Sequence, residues 1–166
     1  MAPPKLPASK KWRESLERDF GFTYISSRKK LPDPDSVIWT TSCSKTKKTQ
    51  RLGMPRDFYN GRYHNRFYEY VENNNLTYGI LSDKYGIHMF DEKLGYYDIH
   101  PQELTLEKKE ELGKFINRKA KRYGFDEIIF YYPSPLMSKP YFEILWFSNL
   151  KVYYMSKFNL TREIEP

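Results

Sequence analysis

Two segments, 37–48 (VIWTTSCSKTKK) and 78–101 (YGILSDKYGIHMFDEKLGYYDIHP), constrain the fold more than any other part of the chain. Each opens as an apolar, β-rich run and ends abruptly in small, polar and charged residues. Val37, Ile38 and Trp39 lead into Thr40, Thr41, Ser42, Cys43 and Ser44, then Lys45, Lys47 and Lys48. Ile80 and Leu81 lead into Ser82, Asp83, Lys84 and Tyr85. A buried strand that empties into hydroxyls, ammonium groups and carboxylates is where an open α/β sheet holds its ligand. Function is expected at these two strand ends.

From Ser36 onward the pattern alternates between apolar runs and amphipathic stretches. Strands are expected over 37–41, 76–81, 127–132 and 152–155, and helices over 61–73, 105–123 and 139–148. The helix that Thr105 caps carries Glu107, Glu110 and Glu111 early and Arg118, Lys119, Lys121 and Arg122 late, which complements its dipole. Residues 82–104 read as irregular. Continuous apolar strands separated by helices argue an α/β class: a three-layer α/β/α domain with a mainly parallel sheet of about four strands. Before it, 1–35 reads as a basic N-terminal arm. A short helix from Ser9 to about Phe20 places Trp12, Leu16 and Phe20 four apart on one face. Residues 36–166 then form a single α/β domain.

Aromatic residues make up 17% of the chain, with 15 Tyr and 11 Phe, so core and surface must both be aromatic. Those rings serve either as core filling with wet hydroxyls or as stacking platforms for bases beside cations. The net charge of +7 favours anionic partners. The excess is uneven: between Ser42 and Arg66 the only acid is Asp57, against Lys45, Lys47, Lys48, Arg51, Arg56, Arg62 and Arg66. A single cysteine excludes an internal disulfide and any zinc site built on several cysteines. No apolar run reaches the length of a membrane span, and the N-terminus lacks the apolar core of a signal peptide. The expectation is a cytoplasmic protein with no membrane partner.

Three groups of residues carry candidate chemistry. Ser42, Cys43, Lys45 and Lys47 supply hydroxyl and ammonium donors in a tight turn, the parts of a phosphate or carboxylate cradle. The loop lacks the glycines of a P-loop. Cys43, flanked by lysines, is a candidate nucleophile, or else a small buried residue at a strand end. Asp83 follows a buried strand directly, and Asp98 and His100 stand two residues apart on extended chain; they are candidate proton carriers or base-edge ligands, or else order the loop. Tyr59 and Tyr85 lie among the charges, as do Tyr63, Tyr96 and Tyr97, and are placed to stack on a base. His64 and His88 carry no spacing signal. No metal site and no cofactor are expected.

At these motifs the chain resembles a little-characterised α/β family of bacterial, phage and archaeal proteins. The elements concerned are Ser42-Cys43 with Lys45 and Lys47, Phe58-Tyr59-Asn60-Gly61, Ile80-Leu81-Ser82-Asp83-Lys84-Tyr85-Gly86, and Tyr97-Asp98. The same layout is similar to the domain of archaeosine synthase with a Pro-Cys-x-x-x-Lys-Pro-Tyr element and a later Tyr-Asp-Ile-Pro. Here Ser42 replaces the proline, and Lys48-Thr49 replace the Pro-Tyr. The resemblance implies a uracil-DNA-glycosylase-like fold over roughly 37–132 and a link to modification of bases in transfer RNA or DNA. Two functions follow from residues and resemblance together. One is an enzyme, or a subunit working with a partner enzyme, that acts on a nucleobase or nucleotide. In it Lys45 and Lys47 hold phosphate, Tyr59 and Tyr85 frame the base, and Asp83 or Asp98 moves protons. The other is a non-catalytic basic accessory protein that binds nucleic acid.

Overall fold

The structure is a computed structural model, and it describes residues 3–4, 12–43, 52–97, 99, 103–132 and 135–156. Six strands form one sheet: β1 (Thr23–Tyr24), β2 (Ile38–Ser42), β3 (Tyr78–Ser82), β4 (Gly86–Met89), β5 (Glu127–Tyr131) and β6 (Lys151–Met155). Five α-helices accompany them: α1 (Trp12–Arg18), α2 (Pro55–Phe58), α3 (Arg62–Asn73), α4 (Leu106–Arg122) and α5 (Pro135–Phe147). The strand order is β1-β6-β5-β2-β3-β4. All pairings are parallel except β3 with β4.

The mixed α/β class and mainly parallel sheet agree with the sequence, but the strand count does not. The sheet has six strands where about four were expected. β4 lies inside 82–104, read as irregular, and β1 lies in the N-terminal segment. Neither announces itself: β1 is two residues long, and β4 carries His88 between Ile87 and Met89. The turn between β3 and β4 is set locally. Ser82 Oγ accepts hydrogen bonds from the backbone N–H of Lys84 (3.2 Å) and Tyr85 (3.0 Å). Gly86 then takes a φ of +78°, which a residue with a Cβ rarely adopts.

Alternation along the strands assigns the helices to faces. Trp39, Tyr78 and Tyr131 share one face, as their register requires, and their rings meet Tyr70, Phe67 and Tyr63 of α3. Phe130 and Tyr132 point the other way and meet Tyr141 and Phe142 of α5. α4 packs on α5, with Lys109 and Glu143 paired across them at 3.3 Å. The central strand β2 tolerates two threonines because their hydroxyls bond the neighbouring strand: Thr40 Oγ1 to Ile129 O (2.9 Å) and Thr41 Oγ1 to Tyr131 O (2.8 Å). The N-terminal segment is tied in at the far edge, where β1 pairs with β6 and Leu16, Phe22 and Ile25 are buried.

This topology positions a site. The chain leaves β2 for α3 on one face, and leaves the adjacent β5 for α5 on the other. Crossovers therefore diverge between β2 and β5, opening a crevice outside their carboxyl ends. At the opposite sheet edge, Lys119 Nζ reaches Ile87 O (2.7 Å) and Glu92 Oε1 (2.9 Å), fastening the β3–β4 hairpin to α4. Among the described residues no helix is long and apolar enough to cross a membrane.

The α4–α5 contact depends on Gly113. A Cβ there would stand 2.5 Å from Phe147 Cβ and 2.7 Å from Ile144 O. Alanine gains about 1 kcal/mol of helix propensity over glycine, while overpacking of this kind costs about 1–3 kcal/mol. With a backbone carbonyl as the obstacle, overpacking should win. Gly113→Ala is expected to lower the urea midpoint; a raised midpoint would show that α5 can shift outward freely.

Candidate active site at the strand ends

Cys43 and Asp83 come together because the β2–β3 ladder continues one step beyond β2. Ser42 is in register with Leu81, and Cys43 N–H donates to Leu81 O at 3.0 Å. That bond sets Cys43 opposite Ser82, next to Asp83, the first residue of the turn after β3. Its Sγ donates to Asp83 Oδ2 at 3.1 Å. Tyr141, on the second turn of α5, completes the group: its hydroxyl lies 3.0 Å from Cys43 Sγ and 3.4 Å from Asp83 Oδ2. Asp83 is fully buried, and Cys43 and Tyr141 are 8% and 3% exposed. Burial pushes the Tyr141 phenol well above its ordinary value, and the adjoining thiol and carboxylate push it further. Tyr141 is therefore a protonated hydrogen-bond donor at neutral pH.

A second chain of phenols stands behind this group. His88 Nε2 faces the Glu92 carbonyl at 2.7 Å, so it carries the ring proton. Its Nδ1 accepts from the Tyr59 hydroxyl at 3.4 Å, and Tyr59 accepts from Tyr97 at 2.9 Å. Burial raises both phenols, and the neighbouring Cys43 raises each further. Burial lowers His88, so its ring is neutral.

On the α3 side, Tyr63 OH lies 3.5 Å from Ser42 Oγ, and burial raises this phenol as well. His64 Nε2 meets the Ser42 carbonyl at 2.8 Å. Burial holds the His64 ring at about 4, against an ordinary 6.5.

The sequence-predicted residues thus divide. Ser42, Cys43 and Asp83 converge. Tyr59 is fully buried behind them, so its ring has no face open to a base. Tyr85 is half-buried at the rim, its hydroxyl donating to Gly95 O at 3.0 Å. Lys45, Lys47, Asp98 and His100 lie outside the described residues. Tyr141 had no sequence signal, since it sits in a helix far along the chain and follows Pro140. Among the described residues, no group of three or more His, Cys, Asp or Glu side chains is placed to hold a metal ion.

His64 makes the stability of this region pH-dependent. Its folded value of about 4 lies below the unfolded 6.5. Across that window the unfolded chain binds a proton that the folded chain refuses. Stability must therefore rise with pH between those limits, by about 1.4 kcal/mol per pH unit for one histidine. Urea unfolding of His64→Gln should show a pH profile flatter by about that slope. An unchanged profile would mean that His64 protonates freely in the folded protein.

No curated protein and no solved structure matches the chain. A family model does, over residues 38–146. The match begins at the first residue of β2 and takes in Ser42, Cys43, Asp83 and Tyr141, well over half of the chain. The protein belongs to DUF6884, a family of unknown function.

Proposed function

We propose that this protein is an enzyme acting on a nucleobase or nucleotide, in the modification of transfer RNA or DNA, with Cys43, Asp83 and Tyr141 at its reacting centre. The observation that carries the reading is the thiol–carboxylate–phenol triangle at the carboxyl ends of two adjacent parallel strands. In an open α/β sheet that position is a ligand crevice, and a nucleophile held by a general base is the arrangement covalent catalysis requires. Asp83 accepts the thiol proton as Sγ adds to an electrophilic ring carbon of the base, whose π pair moves onto the adjacent ring atom. Tyr141 donates a hydrogen bond to the sulfur or to the atom that gains charge. Tyr63, Tyr85 and Tyr131 border the crevice and supply aromatic surface, and the net charge of +7 draws a polyanion. Lys45 and Lys47 follow Cys43 closely in the chain and hold substrate phosphate. The resemblance to the archaeosine synthase domain, and through it to a uracil-DNA-glycosylase-like fold, points to the same substrate class.

A second reading is a basic nucleic-acid-binding accessory protein. It draws on the near-complete burial of the triangle, which then serves only to order the strand ends.

One experiment separates the two. The protein is incubated with nucleosides, nucleotides, transfer RNA and single- and double-stranded DNA, and every base is examined by mass spectrometry. The enzyme reading expects a mass change, lost in Cys43→Ala and reduced about 10²–10⁴-fold in Asp83→Asn, with substrate binding retained. Salt-dependent nucleic-acid binding with no product in any mixture would establish the accessory reading instead.

A further inference from the structure

We propose that the first turn of α3, together with Arg62 and Arg66, is a seat for a phosphate group, forming the anion-binding half of the crevice whose other half is the Cys43–Asp83–Tyr141 triangle. This rests on the nucleotide reading above and assigns the phosphate to a place that reading left to Lys45 and Lys47.

The location follows from contacts already described. Tyr63 and His64, in the first turn of α3, touch the Ser42 side chain and carbonyl. The helix therefore starts directly above the carboxyl end of β2, one residue from the Cys43 thiol. α3 runs for twelve residues, long enough for its dipole to present about half a positive charge at this end. Its own first turn does not neutralise it: the N-cap is Gly61, which makes no side-chain cap, and the turn contains no acid. Backbone N–H groups at such a start are ready donors for an anion.

The charges nearby match. Arg62 and Arg66 lie one turn apart on α3, both exposed, and neither forms an ion pair among the described residues. Arg66 stands one turn along α3 from Tyr63, whose ring meets Tyr131 at the end of β5, so the arginine shares the crevice side of the helix. Arg56, by contrast, pairs with Glu72 at 3.0 Å.

An independent observation points to a ligand. His64 is fully buried, and its Nδ1 has no hydrogen-bond partner among the described residues. Because Nε2 donates to the Ser42 carbonyl, Nδ1 holds a bare lone pair. A buried acceptor left unmet costs about 1–3 kcal/mol. That nitrogen faces the N-cap: a Cβ on Gly61 would lie 3.2 Å from it. Gly61 adopts an extended φ of −175°, which any residue accepts, so its lack of a side chain is a matter of space and not of backbone conformation. The uncapped helix start and the orphan nitrogen are accounted for together by a phosphate over the first turn. Its P–OH gives Nδ1 a proton to accept, while its oxygens take the helix N–H groups and the guanidinium groups.

The test is calorimetric titration of the full chain with inorganic phosphate, a nucleoside and its 5′-monophosphate. The Arg62→Gln/Arg66→Gln double variant should weaken the monophosphate and phosphate at least about tenfold, as expected for lost charge-assisted bonds, and leave the nucleoside unaffected. Gly61→Ala should do the same with little loss of stability. With ¹⁵N-labelled histidine, phosphate should shift the Nδ1 resonance of His64 in the wild type. If both variants keep full affinity while Lys45→Gln/Lys47→Gln loses it, this seat is wrong and the nucleotide reading stands. If phosphate binds here but the nucleoside portion adds no affinity, the seat stands and the nucleotide reading falls. If none of the three binds the wild type, both fall.

Discussion

The parallel pairing of β2 with β3 is the constraint on which the rest of the site depends. Register sets Cys43 beside Ser82, the last residue of β3, and Asp83 reaches the thiol because it already lies in the turn, where strand alternation no longer holds. The backbone bond from Cys43 to Leu81 extends the ladder just past the last formal strand residue of β2. The hydroxyl of Ser82 then bends the chain by holding the N–H groups of Lys84 and Tyr85, so Asp83 stays at the strand end and does not continue into β4. Sheet and turn thus define one point in space, and α5 brings a phenol to it. A rigid scaffold of this kind holds reacting groups more closely than a loop could.

The abundance of tyrosine follows from the same geometry. A sheet covered on both faces needs bulky side chains, and rings near the strand ends must carry a polar tip toward the crevice. Tyrosine meets both needs, provided that each buried hydroxyl finds a partner. Tyr68 donates to Tyr59 O at 2.8 Å, Tyr97 to Tyr59 and Tyr59 to His88, so the polar tips are linked and not scattered. Burial keeps these phenols protonated, and a protonated phenol is a fixed dipole that needs no reorganisation when charge develops nearby.

Much of this was legible in the sequence, for physical reasons that differ by element. Central parallel strands are continuous apolar runs, so β2, β3, β5 and β6 show themselves to within a residue or two. Thr105 caps α4 as its hydroxyl chemistry requires, accepting from Lys108 N–H at 3.1 Å. The edges were not legible: β1 is too short to have a period, and β4 hides in a Tyr- and Gly-rich stretch whose pairing comes from the turn before it. α5 begins four residues before the expected start because Pro135, which reads as the end of β5, is instead the first residue of the helix, where proline's missing N–H costs nothing. Of the site, the strand-end residues Ser42, Cys43 and Asp83 could be read because strand ends are recognisable. Tyr141 could not, because its role comes from a helix crossing 98 residues downstream of Cys43. His64 carried no pattern, since its meaning lies in a backbone carbonyl that it meets through folding.

The triangle and the α3 start are best understood as two unequal halves of one crevice. On the α5 side the polar groups are turned inward and bonded to each other, which suits chemistry that must exclude water. On the α3 side they are turned outward, with arginines in solvent and a helix start without a cap, which suits capture of an anion from solution. Ser42 joins the halves: its carbonyl takes the His64 proton, its hydroxyl meets Tyr63, and its chain neighbour is the thiol. A change on one side is therefore felt through a single residue on the other. Substitutions that flank Ser42 should be coupled and non-additive, whereas those at the α4–α5 seam should add independently.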